Sequence, residues 1–248
     1  MLRLLCFTAH PDDETVGFGG SLLKYRRQGV DTFVVCLTAG QAATHRGGAG
    51  TDADLASLRR QELAASCAIL DVTQHEVLAY PDGALDALPF LDVVEALTKR
   101  VRAIRPHVVM TFGAEGGPTA HRDHAMTSIF ATAAFHWAGR DDRFTDHMDA
   151  GLAPHRAQKL YYATTTVAPR GWHPVAQGPY GASIDVSDVV DRKLAALHAH
   201  ASQAPAFPFV DRTIRRHGAI EHFHLAASIR PAPVSAETDL FTGVMEEG

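Results

Sequence analysis

Two short runs of the chain concentrate imidazoles and carboxylates: His10-Pro11-Asp12-Asp13-Glu14 follows the first apolar stretch, and His121-Arg122-Asp123-His124 follows a later one. Histidine nitrogen and aspartate oxygen bind borderline divalent metals such as zinc, and a catalytic centre needs only three protein ligands plus one position open to water. His10 and Asp13, three residues apart across a turn that Pro11 stiffens, can approach one ion, and His124 completes a triad. Asp12 points elsewhere by the turn geometry and faces the water to be activated, which suits a base. Asp123 is expected to pair with His121, its carboxylate fixing the imidazole's tautomer or favouring imidazolium. The competing reading makes Asp12, Asp13 and Glu14 helix caps and the later histidines surface residues with no ion.

These residues need a scaffold that brings distant stretches together. Residues 2–8 read as an apolar strand, 15–28 as a helix stopped by Gly29, and 31–38 as a second strand. A glycine-rich loop at 40–50 precedes a helix over 52–70, whose first turns hold Asp52 and Asp54, where the helix dipole favours them. A strand at 76–79, a Tyr80-Pro81-Asp82-Gly83 turn, a helix over 88–104, a strand at 107–112 and a helix over 123–137 continue the alternation. It predicts an α/β fold: a Rossmann-like, doubly wound, mostly parallel sheet with helices on both faces. Ligands of such sheets bind outside the carboxyl ends of the strands where the winding reverses, here between the first and fourth strands. That crevice is where both clusters should meet.

From Asp141 the regularity weakens, with Pro154, Pro169, Pro174 and Pro179 around one strand candidate at 159–165 and a last helix over 189–202. No repeat or linker divides the chain. The expectation is one domain over 1–248, with a core over about 1–140 and an irregular C-terminal region of walls and cap over about 141–248.

A net charge of -5 and a pI near 6.3, with no dense Lys/Arg run, argue against nucleic acid and for small-molecule chemistry. The apolar start, residues 1–9, is too short to span a bilayer and lacks the features of a secretory leader, so no membrane association is expected. Cys6, Cys36 and Cys67 sit singly in apolar stretches and read as buried thiols of a reducing cytoplasm rather than nucleophiles.

Other motifs carry less. Gly17-Phe18-Gly19-Gly20 hints at a nucleotide loop, but the spacing is wrong and a pyrophosphate would meet Asp12 and Asp13. His198 and His200 do not share a helix face, whereas His222 and His224 share a face if they lie on a strand. Trp137, Trp172 and Phe207 read as packing residues, with sugar stacking as the role of Trp172 if it is exposed.

The two clusters resemble the signatures of the PIG-L or LmbE-like family of zinc-dependent N-deacetylases. Arg59-Arg60-Gln61-Glu62, Pro81-Asp82-Gly83, Lys159-Leu160-Tyr161-Tyr162 and His200-Ala201-Ser202-Gln203 extend the likeness from Met1 to about Gln203. The resemblance implies one zinc ion per chain on His10, Asp13 and His124, with Fe2+ as the alternative in the cell. It implies Asp12 as general base, His121 with Asp123 for the oxyanion, and Arg59 and Asp82 at a sugar. The expected activity is removal of an N-acetyl group from a small amino-sugar derivative. The alternatives are an amidase acting on a thiol conjugate, a phosphoesterase, and a metal-binding module without turnover. A homo-oligomer is compatible with this reading. Arg122, Gln41 and Ala120 stand where the family usually or often has Pro, Glu and Gly, differences that fall on the pocket rim and replace no ligand.

Overall fold

The computed structural model describes residues 1–165, 175–230 and 236–246. Strand β1 (Arg3–Thr8) is buried on both sides, which is why its sequence is continuously apolar rather than alternating. Leu4 and Cys6 pack into one hydrophobic cluster, and Leu5 and Phe7 into another on the opposite face. Strands β2 (Asp31–Thr38), β3 (Gln74–Tyr80), β4 (Val108–Phe112) and β5 (Lys159–Thr164) join β1 in parallel. β6 (Ala182–Asp185) and β7 (Ile220–Ser228) close the far side, β7 running antiparallel to both β5 and β6. The order is β3-β2-β1-β4-β5-β7-β6. This is the mostly parallel α/β sheet expected, and its winding reverses between β1 and β4.

The first helical stretch is broken in two, α1 (Asp13–Val16) and α2 (Gly19–Arg27), where the sequence pattern suggested one helix. The break buries Phe18 in the core and frees the N-terminal amides of α2. Gly20 and Ser21 N–H groups donate to Glu221 of β7, at 2.8 Å each, and Lys193 donates to the same carboxylate at 2.7 Å. A Cβ on Gly20 would stand 2.6 Å from Val186 Cγ2, so the close approach requires glycine. The Gly-Phe-Gly-Gly run is thus an anion seat filled from within the chain.

Helix α3 (Asp52–Ile69) opens on a capping box between Thr51 and Asp54. Helices α4 (Phe90–Ile104) and α5 (Arg122–Trp137) pack together on one face of the sheet. Then come the short α6 (Asp146–Asp149), α7 (Val190–His198), which packs on α3, and α8 (Phe207–His217). Trp172, Pro169 and Pro174 lie outside the described residues. The region after 141 is more regular than its prolines suggested, since it supplies three strands of the sheet. The helix expected over 189–202 stops at His198 and gives way to a 3-10 turn over Ala201–Ala206. His222 and His224 do share a strand face, but their Nδ1 atoms pair with Ser183 Oγ (2.9 Å) and Pro179 O (2.7 Å). Among the described residues, no helix is long and apolar enough to cross a membrane.

Candidate active site

β1 delivers His10, Asp12 and Asp13, and the segment between β4 and α5 delivers His121, with Asp123 and His124 in the first turn of α5. Asp13 lies between two imidazoles. Its Oδ1 is 3.1 Å from His124 Nε2, and its Oδ2 is 3.5 Å from His10 Nδ1. Two ligands bound at about 2.1 Å with tetrahedral angles lie roughly 3.4 Å apart, so these spacings suit a shared divalent cation. The His124 ring stacks on Phe112 at 4.1 Å between centroids, and its buried Nδ1 has no hydrogen-bond partner among the described residues. His10, His121 and His124 also offer nitrogens within 4.8 Å of one another.

Asp13 Oδ2 accepts the N–H groups of Ala9 (3.2 Å) and His10 (2.8 Å), which fixes its orientation. Burial works to raise the Asp13 pKa, but His124 and His10 outweigh it and hold the group well below the usual carboxylate range. The balance at His10 has the opposite sense. Burial favours its neutral form, while Asp123, Asp13 and Asp82 together hold its pKa well above the ordinary value.

The expected pairing of Asp123 with His121 is not what forms. The Asp123 carboxylate is fully buried, accepts Gly83 N–H (2.7 Å) and Leu85 N–H (3.3 Å), and faces His10 Nε2 at 3.3 Å. α5 starts at Arg122, so the Asp123 side chain projects inward against the turn after β3 while His121 sits outside the helix as its cap. His121 Nδ1 instead accepts the Asp123 backbone N–H at 3.2 Å. That bond leaves the proton of a neutral ring on Nε2. Partial burial, then His10 and His124, lower the His121 pKa and favour this neutral form.

His10 Nε2 also meets Asp82 Oδ1 at 3.0 Å. Two carboxylates on one nitrogen keep a proton there, so a cation that displaced the Nδ1 proton would meet a lone pair directed to the Asp13 side, the arrangement in which a carboxylate orients a metal-bound histidine. Asp82 Oδ2 accepts the Ala42 N–H at 2.7 Å and so ties the 40–50 loop to the site. Asp82, expected at a sugar, therefore sits at the crevice wall against His10.

Asp12 stands at the N-cap position of α1 yet makes no side-chain cap bond, so capping does not account for it. Its φ of 111° is outside the comfortable range of a non-glycine residue. Arg59 donates to Asp12 Oδ2 at 3.1 Å, to Gly40 O at 3.0 Å and to Pro11 O. Arg59 is buried with its guanidinium committed to this turn, and the structure places it behind Asp12 rather than out in the crevice. Burial pushes the Asp12 pKa up to about 6, against the pull of Arg59 and with the help of Asp13. A carboxyl in that range can take and return a proton near neutrality.

The sequence reading missed the support beneath Asp12. Glu14, wholly buried, accepts the Asp12 N–H (2.9 Å) with Oε2, and its Oε1 meets Ser66 Oγ (2.6 Å) and His200 Nε2 (2.7 Å). Its only sequence signal was its place in the acidic run. The three cysteines are buried and unbridged, and burial raises their pKa values, which leaves them inert as nucleophiles. Glu95, Asp146 and His147 also gather, but Arg102 donates to His147 Nδ1 (3.1 Å), so a neutral His147 keeps its proton on Nε2, facing Glu95.

Known proteins share this arrangement of sequence and fold. The 1D-myo-inositol 2-acetamido-2-deoxy-alpha-D-glucopyranoside deacetylase of Rhodococcus erythropolis is 30% identical, across 98% of this chain and 97% of that protein. The mycothiol S-conjugate amidase of Streptomyces coelicolor is 30% identical, across 87% of this chain and 81% of its own length. The N,N'-diacetylchitobiose deacetylase of Pyrococcus horikoshii superposes with a TM-score of 0.74 at 25% identity, covering 90% of this chain and 83% of that one. The family described as GlcNAc-PI de-N-acetylase matches residues 5–135, a span that holds both His/Asp clusters. On these grounds the chain belongs to the PIG-L family.

Proposed function

We propose that the chain is a metal-dependent hydrolase that removes the N-acetyl group from a small amino-sugar derivative. In this reading one zinc ion is held by His10, Asp13 and His124, with Asp12 as general base. The observation that carries it is the convergence of these three donors from two strand ends, with a raised carboxyl beside them. The activities named for the similar deacetylases support the bond and the substrate class.

A cation held there polarises the amide carbonyl and lowers the pKa of water from nearly 16 to about 7. Asp12 takes a proton from the attacking water and returns it to the nitrogen as the C–N bond breaks, giving acetate and a free amine. His121, neutral with its proton on Nε2, donates to the carbonyl oxygen as negative charge builds there. Asp123 and Asp82 orient His10. Asp82 keeps acceptor capacity for a sugar hydroxyl, since a carboxylate offers about four lone-pair sites. Arg59 acts through Asp12, holding its carboxylate and the turn that carries it.

The test is a chain stripped with a chelator, reloaded with zinc and offered a panel of N-acetylated amino sugars. Equal amounts of acetate and primary amine, released only after reloading, are expected. A zinc-loaded chain that releases neither across the panel refutes the reading. The similarity to an S-conjugate amidase favours one second substrate class, amides of thiol conjugates, and including one in the panel separates the two.

A further inference from the structure

We propose that Glu14 and His200 are positioning residues that hold Asp12 in its working conformation, and that the C-terminal part of the chain thereby sets the geometry of the base. The inference rests on the general-base role of Asp12 proposed above. A φ of 111° is not a conformation a free aspartate keeps, so the surroundings must over-determine it. They do so at every polar group of the residue. The Asp12 N–H goes to Glu14 Oε2, its carbonyl accepts Thr15 N–H (3.0 Å) and Thr15 Oγ1 (2.7 Å), and its carboxylate meets Arg59.

The first of these contacts rests on a wholly buried pair. Glu14 and His200 are both 0% exposed and 2.7 Å apart, with Ser66 of α3 as the other partner of Glu14 Oε1. A buried carboxylate held by two partners cannot swing away, so its second oxygen remains aimed at the Asp12 amide. His200 stands at the head of a segment that grips the site in two further places. Ser202 donates from its backbone and hydroxyl to Glu62 (2.6 and 2.7 Å), one turn along α3 from Arg59, and Gln203 donates to His45 O (2.9 Å) in the 40–50 loop. Residues 200–203 therefore tie together the catalytic turn, the helix that bears Arg59, and the rim. They lie far outside the 5–135 span of the family match.

The experiment compares the full zinc-loaded chain with Glu14→Ala, Glu14→Gln and His200→Phe. Glu14→Ala removes the acceptor and should lower kcat by about ten- to a hundredfold, the scale of a small misplacement of a catalytic group, with KM and metal content unchanged. Glu14→Gln retains an oxygen for the Asp12 amide and should recover most of the lost kcat. His200→Phe keeps the volume and should fall between them. An unchanged kcat in Glu14→Ala, a loss carried by KM, a loss of metal, or a Gln variant no better than Ala overturns the proposal. A merely structural role would lower the folded yield and leave kcat per folded molecule intact.

Amide hydrogen exchange gives a readout that needs no turnover. The Asp12 N–H should be strongly protected in the wild-type chain and exposed by His200→Phe. Should Glu14→Ala not fold, Ser66→Ala replaces it, and equal protection of the Asp12 amide in wild type, Ser66→Ala and His200→Phe sinks the idea. Failure of the wild-type chain to hydrolyse any N-acetyl substrate, with the exchange pattern as expected, removes the proposed activity and leaves the positioning intact.

Discussion

Asp123→Asn distinguishes two accounts of the same residue. If Asp123 served His121, the substitution would lower turnover and leave metal binding alone. The structure instead puts its carboxylate 3.3 Å from His10 Nε2, so the substitution should act on the metal. Gly83 N–H and His10 Nε2 share Oδ2 while Leu85 N–H uses Oδ1, so an Asn that keeps its oxygen on the first two turns its amide donor at Leu85 N–H, itself a donor, and the negative charge that faced His10 is lost in either orientation. Asp82 still reaches the same nitrogen at 3.0 Å, so orientation of His10 is weakened rather than abolished. Loss of a carboxylate behind a metal-bound histidine typically costs about 10–100-fold in affinity, which converts to about 1.4–2.7 kcal/mol. The assay is zinc competition against a chromogenic chelator, with wild type and Asp123→Asn side by side. Wild-type zinc affinity combined with a large loss of kcat would refute the reasoning and return Asp123 to His121.

Other outcomes follow from the same geometry. Asp12→Asn should retain its metal and lose turnover by about a hundredfold or more, measured as amine release against zinc content. His124→Ala should lose the metal, because only two protein ligands remain; an equally loaded variant removes His124 from the ligand set. Glu221→Gln leaves Lys193 charged and buried and should destabilise the fold by about 3–5 kcal/mol, with Lys193→Met added on top recovering part of that loss in urea unfolding. The buried Glu14–His200 pair gives a pH dependence. His200 is raised above 6.5, so its contribution is complete below that value and fades as pH rises through the elevated pKa; Glu14 is lowered below 4.5, so its contribution is complete above that value and fades as pH falls. The pair therefore stabilises most between 4.5 and 6.5, and the difference in urea midpoint between wild type and His200→Phe should shrink as pH rises from that window through the elevated His200 pKa. A constant difference contradicts the assignment.

The centre of the parallel sheet was legible because β1, β2 and β4 are buried on both faces and so read as nearly unbroken apolar runs. β6 and β7 were not. β7 is only half-buried over most of its length, and His222 and His224 interrupt its apolar pattern with groups that pair locally. The clusters at the ends of β1 and β4 were legible because ligand chemistry restricts residue type and the winding rule restricts location. Which carboxylate faces which imidazole was not, since sequence adjacency suggested Asp123 with His121 while the start of α5 turns their side chains apart. Arg59 could be noticed as a motif residue but not placed, because two of its three partners are backbone carbonyls that any residue could supply. His200 was set aside beside His198, yet only His200 is buried on Glu14, whereas His198 pairs at the surface with Asp211.

The carboxylate of Glu221, docked on the amino end of α2, changes what kind of visitor the crevice welcomes. In architectures of this sort that helix end is the natural landing place for a diphosphate, and here it is plugged by the protein's own last strand. With the amides of that helix end satisfied internally, the crevice beside β1 gathers Asp12, Asp13, Asp82 and Asp123, carboxylates that favour a cation there over an anion. A helix end that could seat a phosphate is here a fastener between α2 and β7.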